Sequence, residues 1–214
     1  MLRSGTGEKT LREIYLIRHG RPVFEGNVKR CIGQTECPLS LLGKQEILKV
    51  REYLAHKNIT KIYSSPLQRC QESARLIAGD QVPIVYQEGL REIHMGDWEN
   101  KTFEEIKEQY PDEYRKRGRD FAHFAPKNGE SFAACLDRGK KVFRHLVQDS
   151  TGNIAVIGHG GLNRVLLCWL LKADLNTLFQ IKQPYGCINL LREEDGQVYV
   201  NQVGCLIRDN PGPF

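Results

Sequence analysis

The sequence predicts an α/β fold: a three-layer sandwich with a mostly parallel sheet, helices on both of its faces, and a helical insert over the carboxyl ends of the strands. Short apolar runs alternate with amphipathic stretches three or four times, which favours this fold over a helical bundle or a β-sandwich. No internal repeat, low-complexity tract or linker interrupts the 214 residues. We therefore predict a single domain over 1–214, with an insert or lid at about 89–130.

The first half of the chain predicts two strand–helix pairs. Leu42, Ile47, Val50 and Leu54 recur at helical spacing behind Ser40, a candidate N-cap. Ser65 followed by Pro66 has the pattern of an N-cap with proline at the first helical position. In chain order we predict strand 13–17, helix 40–57, strand 61–63 and helix 65–78.

The second half begins with a strand and a glycine-containing loop, then continues with helices and the remaining strands. Thr102 and Glu105 have the spacing of a capping box, and Pro111 divides the insert into two short helices. Glu-Asp-Gly between two β-forming runs predicts a hairpin at the edge of the sheet. The predicted elements are strand 82–86, loop 89–100, helix 131–149, strand 153–157, helix 162–172, and the paired strands 187–192 and 198–203.

Composition and charge narrow the classes of function. A net charge of +5 suits a small anionic ligand better than a nucleic acid. The Arg and Lys residues at 115–119 lie among the acidic residues Glu108, Asp112, Glu113 and Asp120, as on a solvated helix face. The longest apolar stretch, 165–171, is too short to cross a bilayer, and the N-terminus lacks an apolar signal-peptide core. We expect no membrane partner and a cytoplasmic location.

The seven cysteines fit neither a disulfide framework nor a zinc ribbon. Their number is odd and no two are spaced as CxxC. We therefore expect most of them to be small buried side chains.

Charged and histidine side chains follow the ends of several predicted strands. Arg18 and His19 end the first strand, Arg69 lies in the first turn of the helix after the second, and His159 and Gly160 follow strand 153–157. Ligands bind at the carboxyl ends of strands in open α/β sheets, where helix N-termini offer free N–H groups. Two arginines, two histidines and a glycine-rich helix start would suit a phosphate.

Other phosphate chemistries lack their motifs. No cysteine has an arginine six positions later, no Asp-x-Asp occurs, and neither Gly-Lys pair continues as a Walker A loop. No second histidine or acid lies at zinc-ligand spacing from His19 or His159. Histidine remains as the candidate nucleophile, and we expect no metal and no cofactor.

Four motifs together resemble the histidine phosphatase superfamily, in its phosphoglycerate-mutase-like branch. In order they are RHG at 18–20, SSPLQRCQESA, LREIHMGDWEN and VIGHGG, and the resemblance covers about 13–203. It implies that His19 attacks phosphorus, that Arg18, Arg69, His159 and Gly160 hold the phosphoryl group, and that Glu92 donates the proton.

The choice of Glu92 rests on the resemblance. The residues alone do not separate it from Glu88, Asp97, Glu99 or Glu130, each of which could equally be a solvated surface acid. We interpret His94 as structural and Trp98 as a packing anchor of the loop.

Three positions depart from the patterns of the families that the chain resembles. Glu25 stands where the mutases have Asn, which argues against mutase activity, and Asn100 stands where related motifs have glycine, so the loop after Glu99 could differ in shape. The segment from Gly33 to Ser40 is closer to that of α-ribazole phosphatases, although Glu36 replaces the usual Asp.

These features predict a phosphomonoesterase for a small phosphorylated substrate, α-ribazole 5′-phosphate of cobamide biosynthesis first, with Gln34 and Thr35 binding the substrate. Residues 121–124 could form an apolar wall for an aromatic base, or the core of the lid. The alternatives are a broad-specificity sugar or nucleotide phosphatase, a phosphoglycerate mutase, and a phosphate-binding module without catalysis. A homodimer is a further expectation.

Overall fold

The structure is a computed structural model that describes residues 11–24, 26 and 28–207. Its strands are β1 (Arg12–Arg18), β2 (Ile59–Ser64), β3 (Ile84–Tyr86), β4 (Asn153–Gly158), β5 (Ile188–Glu194) and β6 (Gln197–Cys205). Its α-helices are α1 (Leu41–Leu54), α2 (Gln68–Ala78), α3 (Phe103–Gln109), α4 (Pro111–Arg119), α5 (Phe132–Gln148) and α6 (Gly160–Leu171). Short 3-10 turns lie at Glu88–Leu90, Gly96–Trp98 and Leu175–Gln180.

The six strands form a sheet in the order β3-β2-β4-β1-β5-β6. The four strands from β3 to β1 are parallel, whereas β5 and β6 run antiparallel at one edge as the predicted hairpin. The predicted mostly parallel α/β sheet is confirmed.

Side chains of β1 alternate between two hydrophobic cores. Ile14 and Leu16 pack with α5 and α6, and Tyr15 and Ile17 pack with α1 and α2. A strand that is apolar on both sides must be covered on both sides, because successive side chains point to opposite faces. The run of apolar residues in β1 thus accounts for a central layer between two helical layers.

Side-chain caps begin three helices, and the sequence predicted two of them, Ser40 and the capping box of Thr102. The hydroxyls of Ser40 and Ser131 accept the N–H groups of Gly43 and Ala134 at 3.0 and 3.1 Å, and Thr102 forms the predicted capping box with Glu105. Each cap satisfies a backbone N–H that has no partner inside the helix. These side chains fix where α1, α5 and α3 begin.

The predicted start of α2 at Ser65 is wrong, since the helix begins at Gln68. Its N-cap residue, Leu67, has no capping side chain, and the first N–H donates instead to Glu36 Oε2 at 2.7 Å. The Ser65 hydroxyl contacts His159. The carboxylate of Glu36, which is distant in sequence, therefore caps α2 in place of the predicted serine. Glu36 thus has a structural role.

The insert has a small core of its own around Trp98. This side chain is fully buried with Ile106 and Cys31, and its Nε1 donates to Glu113 at 3.0 Å, as expected of a packing anchor. Backbone hydrogen bonds of 2.8 Å join Cys31 to Asn100 and Lys101. The insert is thus fastened to the segment that follows β1; its role as a lid and the single-domain organisation stay predictions.

Two further expectations concern cysteines and membranes. Six of the seven cysteines are buried, all seven are free thiols, and Cys205 is half-buried. Among the described residues, no helix has the length and apolar character that crossing a membrane requires.

Candidate active site

The sheet register brings the two histidine motifs together. Arg18 pairs with Gly158 at the ends of the parallel strands β1 and β4, and the N–H of His19 donates to the Gly158 carbonyl at 3.1 Å. The rings of His19 and His159, one residue beyond each strand, lie 5.0 Å apart between centroids. Two short motifs 140 positions apart in sequence therefore meet because their strands are neighbours.

Close packing of two glycines fixes the turn that carries His19. A Cβ on Gly20 would collide with the carbonyl of Gly43 in α1, and a Cβ on Gly43 would collide with the backbone of Arg21. Both positions need glycine because the two backbones touch. The turn after β1 is consequently held against the first turn of α1.

The imidazole of His19 is buried and held by hydrogen bonds at both nitrogens. Nδ1 lies 2.7 Å from the Gly20 carbonyl, which can only accept, so Nδ1 carries the proton and Nε2 has the lone pair. Arg69 Nε donates to that Nε2 at 3.3 Å. Burial, then the charges of Arg69 and Arg18, hold the pKa of His19 well below its ordinary value. The ring is therefore neutral near pH 7, with Nε2 available as a nucleophile.

His159 lies fully buried beside it. Its Nε2 is 2.8 Å from the Ser65 hydroxyl and 3.3 Å from Cys70 Sγ. Burial lowers the pKa of His159 well below its ordinary value, and the charge of Arg69 lowers it further. Burial likewise raises the pKa of the Cys70 thiol, so this thiol stays protonated.

Arg69 uses most of its donors within the protein. The side chain is 1% exposed, and Nη1 and Nη2 donate to the carbonyls of Thr35 and Gly33 at 2.9 and 2.6 Å. The expectation that it lies at the strand ends is met, although α2 begins later than predicted. Its guanidinium is locked in place beside His19 rather than exposed on a helix.

Arg18 lies over an aromatic ring that sequence reasoning missed. Its Cζ is 3.8 Å from the centroid of the Tyr185 ring, and Nη1 donates to the Gln183 carbonyl. Its Nε is buried and has no hydrogen-bond partner among the described residues. A buried charged donor without a partner is costly, so this N–H is well suited to an anionic oxygen of a ligand.

Glu92 lies at the N-terminus of α6. Its Oε2 accepts the N–H of Gly161 at 2.9 Å, and its Oε1 accepts those of Leu162 and Ile93 at 2.9 and 3.0 Å. A Cβ on Gly161 would lie 2.6 Å from Oε1, which explains the second glycine of the motif. The helix start thus fixes this carboxyl group, and Oε2 accepts one N–H and retains a lone pair for a proton.

Gly160 opens α6 between two arginines. A Cβ at this position would lie 3.1 Å from Arg18 Cζ and 3.2 Å from Arg164 Nη1. Arg164, also missed from the sequence, donates to the carbonyls of Gly160 at 3.1 Å and Ile181 at 2.9 Å. Its position four residues after Gly160 on the same face of one helix was the available signal.

The loop of residues 31–36, named here the 31–36 loop, carries Gln34 and Thr35. Gln34 Nε2 donates to the Glu92 carbonyl at 3.0 Å, and the Thr35 hydroxyl donates to Glu99 at 2.8 Å. Both predicted substrate-binding side chains therefore have protein partners next to the site. Their contact with a substrate stays a prediction.

Three further positions named in the sequence analysis are Asn100, His94 and Glu25. Asn100 adopts a φ of 59°, the left-handed conformation that glycine favours and asparagine tolerates, so a turn of this kind forms without glycine. His94 accepts the N–H of Gly96 at 3.2 Å, in keeping with a structural role. Glu25 lies outside the described residues.

No group of three or more candidate metal-ligating side chains occurs in the part of the chain that the structure describes.

Fold and site together are those of an α/β protein with two buried histidines and two arginines, Arg18 and Arg69, at the carboxyl ends of its parallel strands. The sequence profile of the histidine phosphatase superfamily (branch 1) matches residues 14–205. The chain belongs to this superfamily, so the predicted family is confirmed.

Curated relatives carry several phosphatase names. The glucosyl-3-phosphoglycerate phosphatase of Mycolicibacterium vanbaalenii is 32% identical over 177 residues, 78% of this chain and 77% of the relative. The adenosylcobalamin/alpha-ribazole phosphatase of Escherichia coli K12 is 27% identical, over 81% of this chain and 86% of the relative. Human 6-phosphofructo-2-kinase/fructose-2,6-bisphosphatase 1 is 32% identical over 83% of this chain, which spans only 39% of that protein's length.

Solved structures share the fold. Bacillus stearothermophilus YhfR has a TM-score of 0.84 at 26% identity, covering 91% of this chain and 98% of that one. The alpha-ribazole phosphatase from Shigella flexneri has a TM-score of 0.82 at 23% identity, covering 90% and 96%. The second likeness bears on the fold alone.

Proposed function

We propose that this chain hydrolyses phosphomonoesters through a phosphohistidine at His19. The observation that carries the proposal is the state of that side chain: a neutral imidazole with its proton at Nδ1, bonded to the Gly20 carbonyl, and its lone pair at Nε2 beside Arg69. A nucleophile that is already deprotonated needs no separate base.

In the first step, Nε2 of His19 forms a bond to phosphorus while the bond from phosphorus to the alcohol oxygen breaks. Glu92, protonated at Oε2, gives its proton to the departing oxygen, so an alcohol leaves. Arg18, Arg69 and the N-terminus of α6 at Gly160 offset the charge on the phosphoryl oxygens. The unpartnered Nε of Arg18 is the donor that supports this assignment most directly.

In the second step, water attacks phosphorus in the same pocket and the bond from phosphorus to Nε2 breaks. The Glu92 carboxylate takes the proton from water, which regenerates the acid and releases inorganic phosphate. His159 is assigned to the phosphoryl oxygens, since the centroid of its ring lies 5.0 Å from that of the His19 ring.

We propose that the reaction needs no metal ion, because guanidinium groups and a helix start meet the charge of the phosphate. Activity on a phosphomonoester should then persist after dialysis against EDTA. Loss in EDTA with recovery on adding magnesium or zinc would contradict this part of the proposal.

The finer proposal concerns the substrate: a phosphomonoester with a heterocycle, α-ribazole 5′-phosphate in cobamide biosynthesis. A groove of about 550 Å³ beside the site is lined by Phe103, Arg117, Phe121 and Phe179, and we name it the aromatic groove. The ring of Phe179 lies 5.5 Å from Arg164 Cζ, and Arg164 contacts Gly160, so the groove adjoins the phosphate site. Aromatic rings and a guanidinium can stack on a planar base.

A sugar phosphate with a second anionic group is the second candidate. The Cζ atoms of Arg117 and Arg164 lie 5.6 and 5.5 Å from the centroid of the Phe179 ring, and these guanidinium groups would attract such a group. The named activities of the fructose-2,6-bisphosphatase and glucosyl-3-phosphoglycerate phosphatase relatives favour the same class. Phosphoglycerate mutase activity, a cytoplasmic location and a homodimer stay predictions.

A substrate panel separates these candidates. It would contain α-ribazole 5′-phosphate, fructose 2,6-bisphosphate, glucosyl-3-phosphoglycerate, 3-phosphoglycerate, mononucleotides and a phosphotyrosine peptide, assayed below saturation. We expect the highest kcat/KM for α-ribazole 5′-phosphate. A rate within a factor of a few of the sugar phosphates would contradict the finer proposal and leave the phosphatase intact. A chain that binds phosphate tightly but turns over nothing would instead be a binding module.

A further inference from the structure

The carboxylate of Glu99 accepts four hydrogen bonds from two segments of the chain. It accepts the N–H groups of Gly33 at 3.0 Å, Gln34 at 2.7 Å and Met95 at 3.1 Å, and the hydroxyl of Thr35 at 2.8 Å. Three of the four belong to the 31–36 loop. Glu99 therefore fastens this loop to the insert.

One peptide group of that loop lies between Glu99 and Arg69. The N–H of the peptide that joins Gly33 to Gln34 donates to Glu99 Oε1 at 2.7 Å, and its carbonyl accepts Arg69 Nη2 at 2.6 Å. In a trans peptide the N–H and C=O point in opposite directions, so the carboxylate and the guanidinium face each other across it. Arg69 in turn donates to Nε2 of His19 at 3.3 Å.

Arg69 needs such support because its charge is buried. Its side chain is 1% exposed, and within the described residues it forms no ion pair with a carboxylate. An isolated buried charge is unfavourable, whereas a peptide polarised by a carboxylate at its N–H end is a stronger acceptor at its carbonyl end. The contact with Glu99 therefore strengthens the Gly33 carbonyl as the acceptor of Arg69 Nη2.

We propose that Glu99 is a positioning residue for phosphoryl transfer, acting on Arg69 through the peptide between Gly33 and Gln34. It fixes the guanidinium beside His19 and stabilises its charge. The inference rests on the proposed function, because Arg69 must contact the phosphoryl group for its placement to matter. A residue that only closed the loop would affect folding and activity whether or not Arg69 were present.

A double-mutant cycle distinguishes these two roles. Wild type, Glu99→Gln, Arg69→Ala and the double variant would be assayed on p-nitrophenyl phosphate, with circular dichroism and thermal unfolding as checks of folding. Glu99→Gln keeps the shape and removes the charge. Glu105→Gln is the matched control, since Glu105 is an insert carboxylate that accepts the Thr102 N–H at 2.7 Å but pairs with Arg30 at 3.3 Å, away from the site.

We expect Glu99→Gln to lower kcat/KM by about tenfold to a hundredfold, mainly through kcat, as supporting residues of active sites do. In the Arg69→Ala background the same change should cost less than about twofold, because the pathway is already broken. Glu105→Gln should match wild type. If Glu99→Gln does not fold, the same cycle with Glu99→Asp replaces it.

Equal losses from Glu99→Gln with and without Arg69 would overturn the inference, as would wild-type kcat in the folded single variant. Either result would leave the phosphatase itself intact. A wild-type chain that hydrolyses no phosphomonoester would instead overturn the proposed function, and this inference with it.

Discussion

The strand-end site and the aromatic groove are held in different ways. His19, His159 and Arg69 are at most 3% exposed and hydrogen-bond to backbone or to buried side chains, while Phe103 and Phe179 in the groove are 39% and 47% exposed. The first region is fixed by the register of β1 against β4. The second lies on the insert and on the turn after α6. If the proposed function is right, we expect the sheet to determine the chemistry and the insert side to determine which substrate is selected.

The largest expected effect comes from removing the proton donor of the strand-end site. Glu92→Gln keeps the shape but cannot give up a proton, so we expect kcat for an alkyl phosphate to fall by about 10²–10⁴. Hydrolysis of p-nitrophenyl phosphate should fall much less, because that leaving group departs without protonation. Steady-state assays on the two substrates measure the difference.

Glu88→Gln is the control for this prediction, since Glu88 is an exposed acid that pairs with Arg91 at 2.8 Å. It should behave as wild type on both substrates. Equal losses on both substrates in Glu92→Gln would show that Glu92 is not the acid.

A smaller effect is expected in the groove, confined to substrates that reach it. Phe179→Ala removes a stacking surface for a base, and we expect kcat/KM for α-ribazole 5′-phosphate to fall by roughly tenfold, as single stacking contacts do. Activity on p-nitrophenyl phosphate should stay within about twofold of wild type. Tyr199→Ala, at an equally exposed aromatic on β6, is the matched control. A common loss on both substrates would contradict the division between the two regions.

The smallest effect is on the pH dependence of stability. Burial holds the pKa of both His19 and His159 below the ordinary value, so the unfolded chain binds protons there that the folded chain does not. Their stabilisation is complete above about pH 6.5 and is lost as the pH falls, by roughly 1.4 kcal/mol per pH unit for each histidine. Urea unfolding between pH 7 and 5.5 measures the slope.

His19→Asn is the variant that isolates this contribution, since it removes one of the two titrating groups. The variant should lower the slope of unfolding free energy against pH. The decrease should be about half of the slope that the two histidines contribute together. An unchanged slope would mean that His19 does not stay neutral in the folded chain.

Local patterns predicted those elements that local physics decides. The apolar runs of β1 and β4, the cap Ser40 and the insert's capping box depend on neighbours in sequence, and the structure has them all. The strand-end placement of the site followed as well, because parallel order brings strand ends together. These features needed no knowledge of distant contacts.

Contacts between distant segments could not be found in this way. Glu36 caps α2, and the ring of Tyr185 stacks on the guanidinium of Arg18. The carbonyl that accepts Arg69 Nη2 belongs to Gly33, 36 positions earlier in the chain. A serine before proline has the same local pattern whether or not it caps a helix, and Ser65 contacts His159 instead. Such partners appear only once the packing of the loops is known.

The central claim, covalent catalysis at Nε2 of His19, is tested most directly by trapping the intermediate. Wild-type chain would be mixed with a substrate labelled at phosphorus, quenched within milliseconds in alkali, and mapped by mass spectrometry. We expect label on His19 that is stable to alkali and lost in acid, and none in His19→Asn. Normal turnover with no trapped label, or label on another residue, would contradict the account.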